Sequence, residues 1–114
     1  MIAGVGVDIQ DYARVRQAFE RTGDAFTRRF CTPSELEWAA GDARKLAAVF
    51  SVKEACFKAL GTGWADALSL ELAHLPNGEP VVHKKKGWEE GKALLVSLSY
   101  GADAVIAFCV ASSS

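Results

Sequence analysis

Residues Phe50–Gly63 read FSVKEACFKALGTG. Glu54 and Lys58 stand one helical turn apart, and the run closes on Gly61-Thr62-Gly63. Around this stretch Leu46, Val49, Phe50, Phe57 and Leu60 recur at helical spacing as an apolar stripe, and Gly61 is a natural C-terminal cap. The pattern predicts a helix from about Asp42 to Leu60. Ala47, Ser51, Glu54 and Lys58 share a second face, with small residues beneath the two charges. Two uses fit that face. Glu four residues before Lys is the favoured order for an exposed helical ion pair, which contributes only about 0.2–0.5 kcal/mol. The same residues also suit one wall of a metal and phosphate site, which then requires another carboxylate.

The N-terminus offers one. Ile2–Ile9 is apolar and β-branched, opened up by Gly4 and Gly6, and reads as a buried strand with Asp8 near its end. A charge there is costly unless it is paired, caps a helix or binds a metal. Magnesium takes one or two protein carboxylates and completes its shell with water and substrate phosphates. Asp8 and Glu54 could supply the carboxylates while Lys58 meets a phosphate oxygen. Backbone at Gly61-Thr62-Gly63 could approach a ligand without side-chain obstruction.

Outward from these two segments the chain is one α+β domain, residues 1–114, with helices segregated in the N-terminal half and a mainly antiparallel sheet. Tyr12, Val15, Ala18 and Phe19 form a helical stripe with arginines off it. Thr32-Pro33-Ser34-Glu35 predicts a helix start with a capping box, ending near Gly41. Leu68, Leu70 and Leu72 alternate with Ser69 and Glu71 as a strand, and Pro76-Asn77-Gly78 turns it into a partner at Pro80–His83. Lys84–Lys92 is polar, with room for a short helix. Ala93–Tyr100 and Ala104–Val110 are two further strands, followed by a serine tail at Ser112–Ser114 expected to fray.

Composition excludes several classes. The formal charge is −1 in 114 residues, which gives no bias toward nucleic acid or membrane. The basic residues are nonetheless clustered, at Arg14, Arg16, Arg21, Arg28 and Arg29 and again at Lys84–Lys86. Cys31, Cys56 and Cys109 are too widely spaced for a zinc pattern and odd in number, against a disulfide framework. With no signal-peptide pattern at MIAGVGVDI, a cytoplasmic, reduced protein is expected. Gly4-Val5-Gly6 lacks the third glycine of a dinucleotide fingerprint and lies inside the strand. His74 and His83 lack ligand-spaced companions. Cys56 reads as a small core residue and the three tryptophans as packing.

Taken together, GVGVDI, the Arg29–Glu35 run, FSVKEACFKALGTG, NGEP and the terminal VSLSY…AVIAFCV resemble holo-acyl-carrier-protein synthase, the small stand-alone type of 4′-phosphopantetheinyl transferase. The resemblance spans nearly the whole chain in order. It implies transfer of 4′-phosphopantetheine from coenzyme A to a serine of an apo acyl or polyketide carrier protein, releasing adenosine 3′,5′-bisphosphate. It further implies Asp8 and Glu54 as Mg²⁺ ligands, Lys58 at the phosphates, and Arg14 against the acidic face of the carrier. A homotrimer with sites between subunits is implied as well. Two positions depart from the family pattern: Val49 precedes Phe50 where arginine is usual, and Ser97-Leu98-Ser99-Tyr100 ends in tyrosine where histidine is common. Both are expected near the nucleotide, together with Ser99, and Arg44, Lys45 or the Lys84–Lys86 cluster could substitute for the lost cations. The alternatives are a non-catalytic member that binds carrier protein or nucleotide, for which Val49 and Tyr100 speak, and another magnesium-dependent phosphoryl-transfer enzyme.

Overall fold

In the computed structural model, which describes residues 1–113, the predicted helix is the hub. It spans Ala43–Leu60 (α4), with the Asp42 side chain accepting from the Arg44 amide at its start and Gly61, at φ 73°, closing its end. Before it come β1 (Ile2–Asp11), α1 (Tyr12–Thr22), a single turn α2 (Asp24–Thr27) and α3 (Pro33–Ala39). After it come β2 (Leu70–His74), β3 (Pro80–Lys84), β4 (Lys92–Tyr100) and β5 (Ala104–Ser113). β1, β5 and β4 form an antiparallel three-stranded sheet in that order, and β2–β3 is a separate antiparallel hairpin. This is the expected α+β class, with the antiparallel strands split between two sheets.

The core lies between α4 and one face of the larger sheet. Leu46, Val49, Val52 and Phe57 are at most 1% exposed, as are Val105, Ala107, Cys109 and Ala111 of β5 opposite. Complete burial of one such Val, Leu or Phe contributes about 1.5–3 kcal/mol, so this seam holds the domain together. The glycines of β1 set how close α4 can come. A Cβ on Gly4 would lie 1.9 Å from the carbonyl oxygen of Ala59, and one on Gly6 would lie 2.1 Å from that of Ala55. Gly4 and Gly6 therefore serve helix–strand contact, not a ligand.

Several local expectations hold and several are corrected. The capping box at Thr32 is complete, with Glu35 answering the Thr32 amide. Leu68 and Ser69 do not belong to the strand. Asp66 accepts from the Leu68 amide through its side chain and from Ser69 through its carbonyl, which winds Ala67–Ser69 into a 3-10 turn and leaves Leu68 exposed. Lys84–Lys92 holds no helix, because Gly87, Glu89 and Gly91 all adopt positive φ and break the repeat. Lys84 Nζ stitches that turn together by donating to the carbonyls of Glu89 and Lys92. Ser112 and Ser113 are paired in β5 instead of frayed, while Ser114 lies outside the described residues.

Candidate active site

Asp8 lies on the inward face of β1, level with Ala107 of β5. Its side chain is only 9% exposed, and both carboxylate oxygens are held. Gln10 Nε2 donates to Oδ2 at 2.7 Å and Lys58 Nζ approaches Oδ1 at 3.4 Å. The Lys58 ammonium also donates to the Val7 carbonyl at 3.0 Å, and Ser51 Oγ donates to the Asp8 carbonyl at 3.1 Å. Asp8 is thus gripped by Ser51 and Lys58, the two α4 residues that flank Glu54 by a turn on either side.

Glu54 is half-buried and, among the described residues, has no hydrogen-bond or ion-pair partner. It opens on a cleft of about 260 Å³ lined also by Phe26, Arg29, Phe30, Phe50 and Trp64. The aromatic walls interlock: Phe30 meets Phe50 edge-on at 5.2 Å, and Trp64 stacks on Phe50 at 4.9 Å. The exposed ion pair between Glu54 and Lys58 does not form, since Lys58 turns to the strand instead. Among the described residues no three His, Cys, Asp or Glu side chains gather at one point. A cation here would draw on the two carboxylates, Asp8 and Glu54. Their chemistry suits one, since both are carboxylates and the Glu54 side chain makes no ion pair among the described residues.

Arg14 on α1 lines a neighbouring groove with Gln10, the residue that orients Asp8, and with Arg21, Phe26 and Phe50. Gly61, Thr62 and Gly63 follow Lys58 after Ala59 and Leu60, and all three are exposed. A Cβ on Gly61 or Gly63 would meet nothing within 4 Å, so this backbone is open to approach.

The residues expected at the nucleotide separate. Tyr100 is level with Val105 and Gln10 across the sheet, on the same face as Asp8. Burial raises its pKa above the usual tyrosine value, the nearby Tyr12 adds to this, and Arg44 partly opposes it. Arg44 itself sits over the Tyr12 ring at 5.2 Å, so Arg44 and Tyr100 are brought together. Ser99, one residue earlier on β4, faces the opposite side of the sheet. Lys45, a helical step of about 100° from Arg44, is also directed elsewhere. Its Nζ lies 5.2 Å from the centre of the Trp38 ring and 3.5 Å from the Trp38 carbonyl, away from Tyr100. Val49 is fully buried and contributes no polar group.

Residues 4–109 match the family model of the 4′-phosphopantetheinyl transferase superfamily. The chain belongs to this superfamily. Its relatives include the holo-[acyl-carrier-protein] synthase of Chelativorans sp., 41% identical over 98 residues, which cover 79% of this chain and 72% of that one. The structure of the Helicobacter pylori holo-[acyl-carrier-protein] synthase in complex with coenzyme A superposes with a TM-score of 0.90 at 30% identity, over 95% of this chain and 99% of the other. The Neisseria meningitidis synthase gives 0.89 at 33% identity, over 98% and 99%. The fold is therefore that of a small transferase of the holo-synthase type.

Three features of this candidate site escaped the motif reading. Gln10 is two residues from Asp8, on the same strand face, and the strand period alone would have placed it there. Ser51 was legible as a small residue but not as a donor. Trp64 follows the Gly-Thr-Gly run and closes the cleft, a contact that only the turn at Gly61 and Gly63 creates.

Proposed function

We propose that this transferase moves 4′-phosphopantetheine from coenzyme A to a serine hydroxyl of an apo acyl carrier protein, using Mg²⁺, and that a fatty-acid or polyketide carrier is its partner. The observation that carries the reading is that Lys58 bonds to Asp8 on β1 and not to Glu54 one turn before it on α4, which leaves the Glu54 side chain without an ion-pair partner among the described residues. Mg²⁺ held by Asp8 and Glu54 supplies charge neutralisation at the diphosphate when bound.

In the transfer, the serine hydroxyl gives its proton to water, a bond forms between its oxygen and the β-phosphorus, and the bond from that phosphorus to the bridging oxygen breaks. The electron pair leaves on the bridging oxygen with adenosine 3′,5′-bisphosphate. Lys58, half-exposed and tethered to β1, keeps its ammonium in place to meet the negative charge that builds there. Gln10 and Ser51 fix Asp8 so that its carboxylate does not have to reorganise. The open backbone at Gly61–Gly63 and the exposed Arg44 extend the binding surface, and Arg14 faces the carrier.

Arg44 counts against the non-catalytic alternative. Val49 is buried, so an arginine is simply absent there, but Arg44 supplies a cation beside Tyr100. The reading extends to a cytoplasmic homotrimer. In its favour, no helix among the described residues is long and apolar enough to cross a membrane. The outer face of the larger sheet also exposes Val5, Val7, Ile9, Leu95, Ile106 and Phe108, an apolar surface suited to a second copy. Intact-mass analysis of an apo carrier protein incubated with enzyme, coenzyme A and magnesium tests the proposal. One phosphopantetheine adduct on the carrier serine is expected, and an unchanged carrier in the presence of folded enzyme would refute it.

A further inference from the structure

Next to Glu54, but pointing into the interior, Lys53 is 0% exposed. Its Nζ donates to Glu35 Oε1 at 2.6 Å and to the Phe30 carbonyl at 2.5 Å. Glu35, also 0% exposed, accepts further from the Thr32 amide at 2.8 Å and from the Leu72 amide at 2.6 Å. One buried ion pair thereby joins α4, the turn before α3, the start of α3 and strand β2. Buried pairs return little net stability over apolar replacements of the same shape, because desolvation offsets their attraction. The position of this one suggests a different benefit. Phe30, whose carbonyl Lys53 holds, forms the wall of the Glu54 cleft and packs on Phe26 at 5.1 Å and Phe50 at 5.2 Å. Consecutive residues of α4 thus address opposite sides of one wall: Lys53 fastens it from behind, and Glu54 faces the cavity in front.

We infer that Lys53 is a positioning residue that sets the distance of the Phe26–Phe30 wall from Glu54, and so the shape of the cleft that receives coenzyme A. Glu35 stabilises Lys53 and holds the Thr32 amide just beyond Phe30, a bond that a glutamine oxygen can keep. The two members of the pair therefore differ in what their loss does. Lys53→Met deletes the bond to the Phe30 carbonyl, whereas Glu35→Gln leaves Lys53 able to make it. Both break a buried ion pair and both lower Tm.

The test compares these variants below their melting onset by two readings. The first is acrylamide quenching of Trp64, in a background with Trp38 and Trp88 replaced by phenylalanine. Trp64 is 44% exposed in the native cleft, and a displaced wall uncovers more of its ring. The second is the KM for coenzyme A, which rests on the transferase reading above, while the quenching does not. In Lys53→Met, quenching increases and KM rises roughly tenfold, the lower end of what losing an outer-shell partner costs a site, with kcat little changed. In Glu35→Gln neither moves, although Tm falls. Lys53→Gln, too short to span to the carbonyl, is read in the same way should the methionine variant not fold. Equal effects in the Lys53 and Glu35 variants, or none in either, would reduce the pair to a structural tie and overturn the inference. Altered quenching without any transferase activity would uphold it and instead remove the proposed function.

Discussion

Lys58 is where the two uses of a Glu–Lys helical pair part company. Its ammonium crosses to Val7 and Asp8 on β1, leaving Glu54 with no partner among the described residues. Its side chain is 49% exposed, so as a simple ion pair it would contribute only about 0–1 kcal/mol. Under the proposed function Lys58→Met costs on the order of 2.7–4 kcal/mol in the transfer barrier, read as kcat, with Tm nearly unchanged. A loss confined to Tm would return Lys58 to a purely structural role. The cysteines are inert at this scale. Burial, with Glu35 adding to it, pushes the Cys31 thiol up to about 12. Cys56 is raised mainly by its hydrogen bond with Cys109, which is lowered in turn. All three are buried, so native protein at pH 7.5 is expected to resist a thiol reagent until it unfolds. Spacing made Asp8, Glu54 and Lys58 legible as a set. It could not show Gln10 clasping Asp8 or Lys53 buried against Glu35, because both depend on which strand or turn lies opposite.

At the scale of elements, the GVG run of β1 and the small residues of α4 are two halves of one contact. Gly6 has Ala55 and Lys58 directly above it, and backbone there cannot rotate aside as a side chain would. Gly6→Ala is therefore expected to destabilise by about 1–3 kcal/mol, as overpacking does, and to loosen Lys58 from Asp8. Urea unfolding measures the first effect and transfer activity of the folded fraction the second. Native-like stability would mean that α4 can shift at no cost. The hairpin carries a pH response. Burial, with Lys45 as a second cause, lowers the His74 pKa below its ordinary value of about 6.5, and the ring stacks on Trp38 at 4.7 Å. The unfolded chain then binds the proton more readily than the folded one, so stability is present above about pH 6.5 and declines as pH falls below it. His74→Gln should flatten that slope in thermal melts between pH 5 and 7. The same hairpin marks the limit of pattern reading. α4 and the Thr32 cap were legible because their signals are local. Leu68 alternates like a strand residue, yet Asp66 caps the backbone into a turn, and Lys84–Lys92 has helix-compatible residues interrupted by three positive φ angles.

For the molecule as a whole, the larger sheet has one face closed by α4 and another left apolar and exposed. Val5, Val7 and Ile9 are each more than half exposed, at 57%, 54% and 62%, and Phe108 lies among them on β5. The apolar run Ile2–Ile9 reads as a buried strand, yet Ile2, Val5, Val7 and Ile9 are exposed, because α4 covers only one face of the sheet that β5 and β4 extend. The proposed trimer covers it. Light scattering at micromolar concentration is expected to give a trimer, and Val7→Glu to give smaller species. A wild-type monomer with full activity would exclude sites shared between subunits. The central claim is that Asp8, Glu54 and Lys58 act as one diphosphate site in a phosphopantetheinyl transferase. Its most direct test is single-turnover transfer to apo carrier protein, followed by intact mass, for wild type, Asp8→Ala, Lys58→Met and the double variant. Residues acting as a unit are strongly non-additive, so the double variant should be little slower than the slower single one. Independent losses that multiply in the double variant, or full transfer in either single one, would contradict the account.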